Sequence, residues 1–171
     1  MPVYPKSRAL FACLLPLMFL LSLSARAELR EIDWLELMPA EDLALLESMP
    51  EVEHEGDGPV LLPDEIMTGR VVPEMGDVEG RIPGFVVPLK TTSDMRILEF
   101  FLVPYYGACI HVPPPPPNQI ILVDYPDGIA IDDIYQPFWV QGTLHISQTS
   151  NQLADASYAL SAERVWLYDG E

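Results

Sequence analysis

Cys109 stands two residues before His111, and five prolines at positions 113–117 come almost at once after it. A thiolate and an imidazole are the natural ligand pair for zinc, or for copper in its softer oxidation state. On an extended chain, residues i and i+2 point to the same side, about 7 Å apart, so this pair is able to converge on one ion. A structural zinc takes four ligands, and a catalytic one usually takes three from protein. His54 and His145 are the other histidines of the chain. His145 is the better third ligand because it falls on the less apolar face of a strand pattern. A carboxylate from Asp124, Asp132 or Asp133 is the alternative.

The same residues suit two other roles. In a cysteine-dependent hydrolase, Cys109 attacks, His111 serves as base, and Asn118 or Gln119 orients the imidazole or steadies an oxyanion. Against this, no helix start comes after Cys109 to depress its pKa, and a strongly acidic chain raises it. In a non-catalytic interaction module of the envelope, the proline run is itself the ligand for an aromatic groove on a partner. Without any such role, Cys109 is a small buried hydrophobe, His111 its hydrogen-bonded neighbour, and the prolines a rigid cover. Tyr105 and Tyr106 then pack on the prolines within the chain.

The backbone beyond the pair is stiff by construction. Residues 113–117 are expected in polyproline II, with φ fixed and little backbone freedom left to lose. Val112, preceding a proline, is driven to extended geometry. Such a rod preorganises the Cys-Ile-His segment and lowers the entropic cost of binding.

The elements that position these residues begin after an address. Lys6 and Arg8 precede an apolar run at residues 10–23, and Ala25-Arg26-Ala27 has the small-x-small pattern of a signal-peptidase site. The run is too short for a comfortable membrane span, so residues 1–27 read as a cleaved signal and the protein as periplasmic. Cys13 departs with the signal, and most of the apolar run lies after it, where a lipobox would need it before. Cys109 is then the sole cysteine, which excludes an intrachain disulfide in a compartment that normally rewards one.

Loss of Lys6, Arg8 and Arg26 leaves six basic residues against 26 acidic ones, a net charge of about −20. Such a surface repels nucleic acid and anionic lipid and attracts cations.

Residues 28–50 read as helical. Pro39 suits the first helical position, Glu41 and Asp42 favour the positive end of the dipole, and Leu43, Leu45, Leu46 and Met49 form an apolar stripe suited to core packing. Trp34, Leu35 and Leu37 suit a short preceding turn. Residues 51–58, acidic and glycine-punctuated, read as a linker, so 28–58 form an N-terminal helix and acidic linker and 59–171 a β-domain.

Five extended runs come next: 81–89, 97–103, 119–125, 138–146 and 158–168. In the fourth, Phe138, Val140, Leu144 and Ile146 share one face with Gly142, and Trp139, Gln141, Thr143 and His145 the other. Gly142 within a strand predicts a bulge or sharp bend. The runs ILEFFLV and QIILV lack alternation and read as buried on both faces. Pro83 and Pro88 place the first run at an edge or interrupt it. Five or six short strands after one helix favour a mainly β fold, a small antiparallel barrel of the oligonucleotide-binding (OB) type. The name describes shape alone, since the charge speaks against nucleic acid.

The stretches GFVVPL (84–89), EFFLVPYYGACIHVPPPPPNQIILV (99–123) and FWVQGTL (138–144) resemble a family of secreted bacterial proteins catalogued as a domain of unknown function. The resemblance runs through most of residues 34–168 and includes the WLELMP start; the central block shows no departure, with Tyr106 standing where members often carry phenylalanine. The family brings no established activity. Some members are encoded beside an ABC-type ATPase, a permease and a histidine-rich periplasmic protein linked to zinc supply. The resemblance therefore implies an accessory to metal uptake, with components of an ABC transporter or a periplasmic metal-binding protein as partners. It is consistent with zinc on Cys109 and His111.

Overall fold

A computed structural model describes residues 29–49, 62–108 and 114–170. Five strands, β1 (Val78–Thr91), β2 (Ile97–Val103), β3 (Ile121–Ile129), β4 (Phe138–Ser150) and β5 (Asp155–Leu167), close into a barrel in the order β1-β2-β3-β5-β4. β3 and β5 run parallel, and every other pair is antiparallel. This is the strand order of an OB-type barrel, and closure leaves no long edge open to another chain.

Cross-strand rows explain the hydrophobic pattern. Phe100, Val123, Leu160 and Leu144 pair in sequence around the barrel and fill its interior. One residue along, Val87, Phe101, Leu122, Ala159 and His145 form an outward row. Val87 and Phe101 are buried nonetheless, because Ala108 and Ile120 cover them in a second apolar cluster. That double burial is why ILEFFLV shows no alternation. The row's far end is uncovered, and His145 is partly exposed there. Ile146, on the interior parity with Leu144, lies past the start of β1 and is 41% exposed.

The expected bulge falls at Gly142, where the β4–β5 register slips. A Cβ there would lie 2.1 Å from the Ser161 carbonyl oxygen, so only glycine fits.

β1 departs from expectation. It is a continuous strand that pairs with β4 over 78–84 and with β2 from Phe85 onward, and it contains both Pro83 and Pro88. The Pro83 carbonyl accepts the Trp34 indole N–H at 2.7 Å. The backbone polar groups of Pro83 therefore face away from β4, where a missing N–H costs no ladder bond. At Pro88 the register to β2 begins to shift.

The expected short helix does precede the barrel, but it covers far less than residues 28–50. Residues 30–32 are extended along β1: Arg81 N–H donates to Arg30 O, and Ile32 N–H to Arg81 O, both at 2.8 Å. Satisfying this flank of β1 outweighs helical propensity. A capped 3-10 turn, Trp34–Leu37, comes next, with Asp33 accepting from Leu35 N and Glu36 from Asp33 N. The bond from the Asp33 N–H, opposed by partial burial and aided by Arg30, holds the Glu36 carboxyl below its ordinary value.

α1 is then only Ala40–Ser48, with Pro39 as N-cap rather than first helical residue. The Leu43, Leu45, Leu46 and Met49 stripe is half-buried and joins neither apolar cluster. The fully buried side chain of α1 is Asp42, paired with Arg70. The chain resumes with α2 (Asp64–Met67) and a 3-10 turn, Pro73–Met75. Ile32, Leu37 and Met75 enter the main core. Tyr158 ties both segments to the barrel, accepting from Val72 N at 2.8 Å and donating to Leu37 O at 3.1 Å.

Candidate functional site

Cys109, His111 and His54 lie outside the described residues, as do the signal segment and the acidic linker. The chain on either side of the Cys-Ile-His segment is described, and both flanks are anchored. After β2, Gly107 turns the chain at φ 82°, and Ala108 is buried on Phe101 and Val103 in the second cluster. On the far side Pro114 is exposed, whereas Pro115 and Pro116 are buried. Pro116 has φ −54° and ψ 149°, as in polyproline II. Pro117 begins a 3-10 turn, Pro117–Gln119, so the rod stops short of its last proline and β3 starts at Ile121.

Asn118 and Gln119 are buried ties. Asn118 Nδ2 donates to Arg70 O at 2.7 Å and Gln119 Nε2 to Trp34 O at 2.8 Å. Pro117 packs so closely on Gly69 that a Cβ there would lie 2.5 Å from Pro117 Cβ. Gly69 adopts φ 67°, and its carbonyl accepts from Ser157 Oγ at 2.6 Å. The amide N–H groups considered for orienting a histidine or an oxyanion thus hold backbone carbonyls of two other segments. Tyr106, expected on the prolines, packs on Phe85 and Tyr135, with ring centroids 6.1 and 4.7 Å away.

His145 is on the outer face of β4, as its alternation predicted. Its Nδ1 stands 2.8 Å from Asp77 Oδ1 and its Nε2 3.3 Å from Ser161 Oγ. A carboxylate oxygen accepts, so this contact favours the tautomer with its proton on Nδ1, which leaves Nε2 facing the Ser161 hydroxyl. A carboxylate holding one ring nitrogen so that the other can bind is the arrangement that supports metal-ligating histidines. Asp77 adopts φ 60°, in the left-handed region that aspartate tolerates better than most residues.

Neither Asp77 nor Ser161 was singled out in the sequence. The GD step before β1 marks a turn, but no local pattern links residue 77 to residue 145. Asp124 pairs in register with Ser161 and is exposed. Asp133 Oδ1 accepts from Tyr135 N in a turn, and Asp132 is exposed. Among the described residues, no three His, Cys, Asp or Glu side chains gather to hold a metal.

The closed β1-β2-β3-β5-β4 barrel, with its flanks strapped down by an N-terminal extension and a proline-led turn, defines a small OB-type domain. Residues 34–167 match the family described as "Protein of unknown function (DUF3299)", and the chain belongs to that family. It is similar to the crystal structure of a DUF3299 family protein from Pseudomonas aeruginosa PAO1, at 36% identity and a TM-score of 0.64, over 83% of this chain and 97% of that one. No curated protein matches the chain. Among the described residues, no helix is long and apolar enough to cross a membrane.

Proposed function

We propose that the protein is an exported, periplasmic metal-binding accessory that takes zinc through Cys109 and His111, with His145 as a further ligand. It serves an ABC-type envelope transport system, handing the metal to a transporter component or a periplasmic carrier. The observation that carries this reading is the burial of the chain on either side of the Cys-Ile-His segment. Ala108 before it and Pro115 and Pro116 after it are buried, and Asn118 and Gln119 tie the second anchor to the body. A short segment held at both ends loses little entropy when it binds an ion. The outward Nε2 of His145, set by Asp77, supplies ligand chemistry on the barrel wall. The transport link rests on the family resemblance and on the acidic surface, which attracts cations.

The test is the metal content of the exported protein purified without chelator or tag, followed by zinc titration of Cys109→Ser, His111→Ala and His145→Ala. Stoichiometric zinc, lost in the first two variants and weakened in the third, supports the proposal. Metal-free protein whose thiol reacts unusually fast with electrophiles points to the hydrolase instead. Inertness in both assays leaves the interaction module. Zinc retained in both Cys109→Ser and His111→Ala overturns the assignment of the site.

A further inference from the structure

The two arms of the β4–β5 hairpin run past Met67 and Pro117 and leave an open groove of about 360 Å³ between them. Gln148, Thr149 and Ser150 from β4 and Asp155 from β5 line one side. Met67, 38% exposed, and Pro117 give the other side an apolar wall. The volume is at the small end of the roughly 300–1,000 Å³ found for small-molecule sites.

The lining selects by charge and by hydrogen bonding. Among the described residues no arginine or lysine lines the groove, and Asp155 is its only ionisable side chain, so an anionic ligand meets repulsion with nothing to offset it. The polar side chains are amide, hydroxyl and carboxylate, which together donate and accept. Thr149 also lines the groove, and its Oγ1 is buried without a hydrogen-bond partner among the described residues. A peptide recognised through anchor side chains needs a run of apolar pockets, and here Met67, Pro117 and Ala156 are the apolar lining residues.

Five-stranded barrels of this architecture hold oligonucleotides and oligosaccharides on the β2–β3 face and the β1–β2 and β4–β5 loops, whereas the groove here is lined by the strand ends that flank the β4–β5 loop. The carboxylate and the missing cations remove the phosphate-backed class.

We propose that this groove binds an uncharged, polyhydroxylated ligand, a short segment of oligosaccharide. Asp155 accepts from adjacent ring hydroxyls, Gln148 and Ser150 exchange hydrogen bonds with others, and the C–H face of a sugar ring lies on Met67 and Pro117. This reading stands apart from the metal proposal. None of its contacts uses Cys109, His111 or His145, so the two can fail separately.

The experiment is titration of the exported protein with maltohexaose, cellohexaose and the N-acetylglucosamine tetramer, followed by backbone amide NMR shifts. At least one glycan is expected to shift residues 148–150 and 155–157 together. Asp155→Ala and Gln148→Ala are each expected to weaken that binding about tenfold or more, a loss of ~1.4 kcal/mol. Asp127→Ala, exposed on β3 away from the groove, is expected to leave it unchanged. The wild-type amide spectrum retained in the variants shows that they fold. The proposal is overturned by the absence of shifts with all three glycans up to roughly 10 mM. It is also overturned by binding that survives Asp155→Ala and Gln148→Ala, or by response only to a basic peptide run alongside.

Discussion

His145 Nδ1 lies 2.8 Å from Asp77 Oδ1, which joins the turn before β1 to the outer face of β4 across 68 residues of sequence. A carboxylate at that distance favours the proton on Nδ1, the arrangement in which the other ring nitrogen is able to act as a ligand.

If His145 is a zinc ligand, Asp77→Asn removes the carboxylate but keeps a residue type that tolerates positive φ. Zinc affinity in competition titrations should fall about tenfold or more, the usual range for loss of such a supporting partner. The melting temperature should change little, because Asp77 is largely exposed. Asp77→Val should instead lower stability by about 1–2 kcal/mol, since a β-branched residue is strained at φ 60°.

Trp34→Phe keeps most of the ring's packing and removes the donor to Pro83 O. The expected loss is about 1 kcal/mol in urea unfolding, with an unchanged slope. A loss below a few tenths would mean that water replaces the indole N–H at the flank of β1.

Gly142→Ala should be the most damaging small substitution in β4. Its Cβ would meet the Ser161 backbone oxygen at 2.1 Å, and backbone on a central strand cannot step aside. A destabilisation of about 3 kcal/mol or more is expected, read as loss of soluble protein or a large drop in melting temperature.

Burial pushes the Tyr158 hydroxyl up from its ordinary value, and the bond from the Val72 N–H only partly offsets this. The folded chain therefore holds the phenolic proton more tightly than the unfolded chain does. This contribution to stability is complete below a pH of about 10, the ordinary tyrosine value, and is lost as pH rises from there through the folded value. The urea midpoint should fall more steeply above that pH in wild type than in Tyr158→Phe. At neutral pH the phenylalanine variant should be about 1–3 kcal/mol less stable, because Val72 N–H and Leu37 O lose their buried partner.

Much of the barrel is readable along the chain. The alternation at Phe138, Val140 and Leu144, the largely apolar run at 97–103 and the single glycine of β4 at 142 each report a local demand: one wet face, two dry faces, no room for a Cβ. The N-terminal segment is not readable in this way. Residues 30–32 run along the unpaired flank of β1, whose position depends on strands far along the chain. Pro83 looks like a strand breaker until the side it turns toward is known. The Leu43–Leu46–Met49 stripe has helical spacing, yet the residue that α1 buries fully is Asp42, because Arg70 arrives from another segment to meet it.

Composition and spacing alone determined the acidic character, the β-rich class, a count of five or six strands and the stiffness of a proline run, since each arises from residue type or from near-neighbour sterics. Only the tertiary structure decided that Asn118 and Gln119 tie down Arg70 and Trp34, that Asp77 meets His145, and that a polar groove opens beside Pro117. The reason is the closing of the barrel. It brings groups from distant strands within hydrogen-bonding range, and such contacts leave no periodic trace in the sequence that forms them.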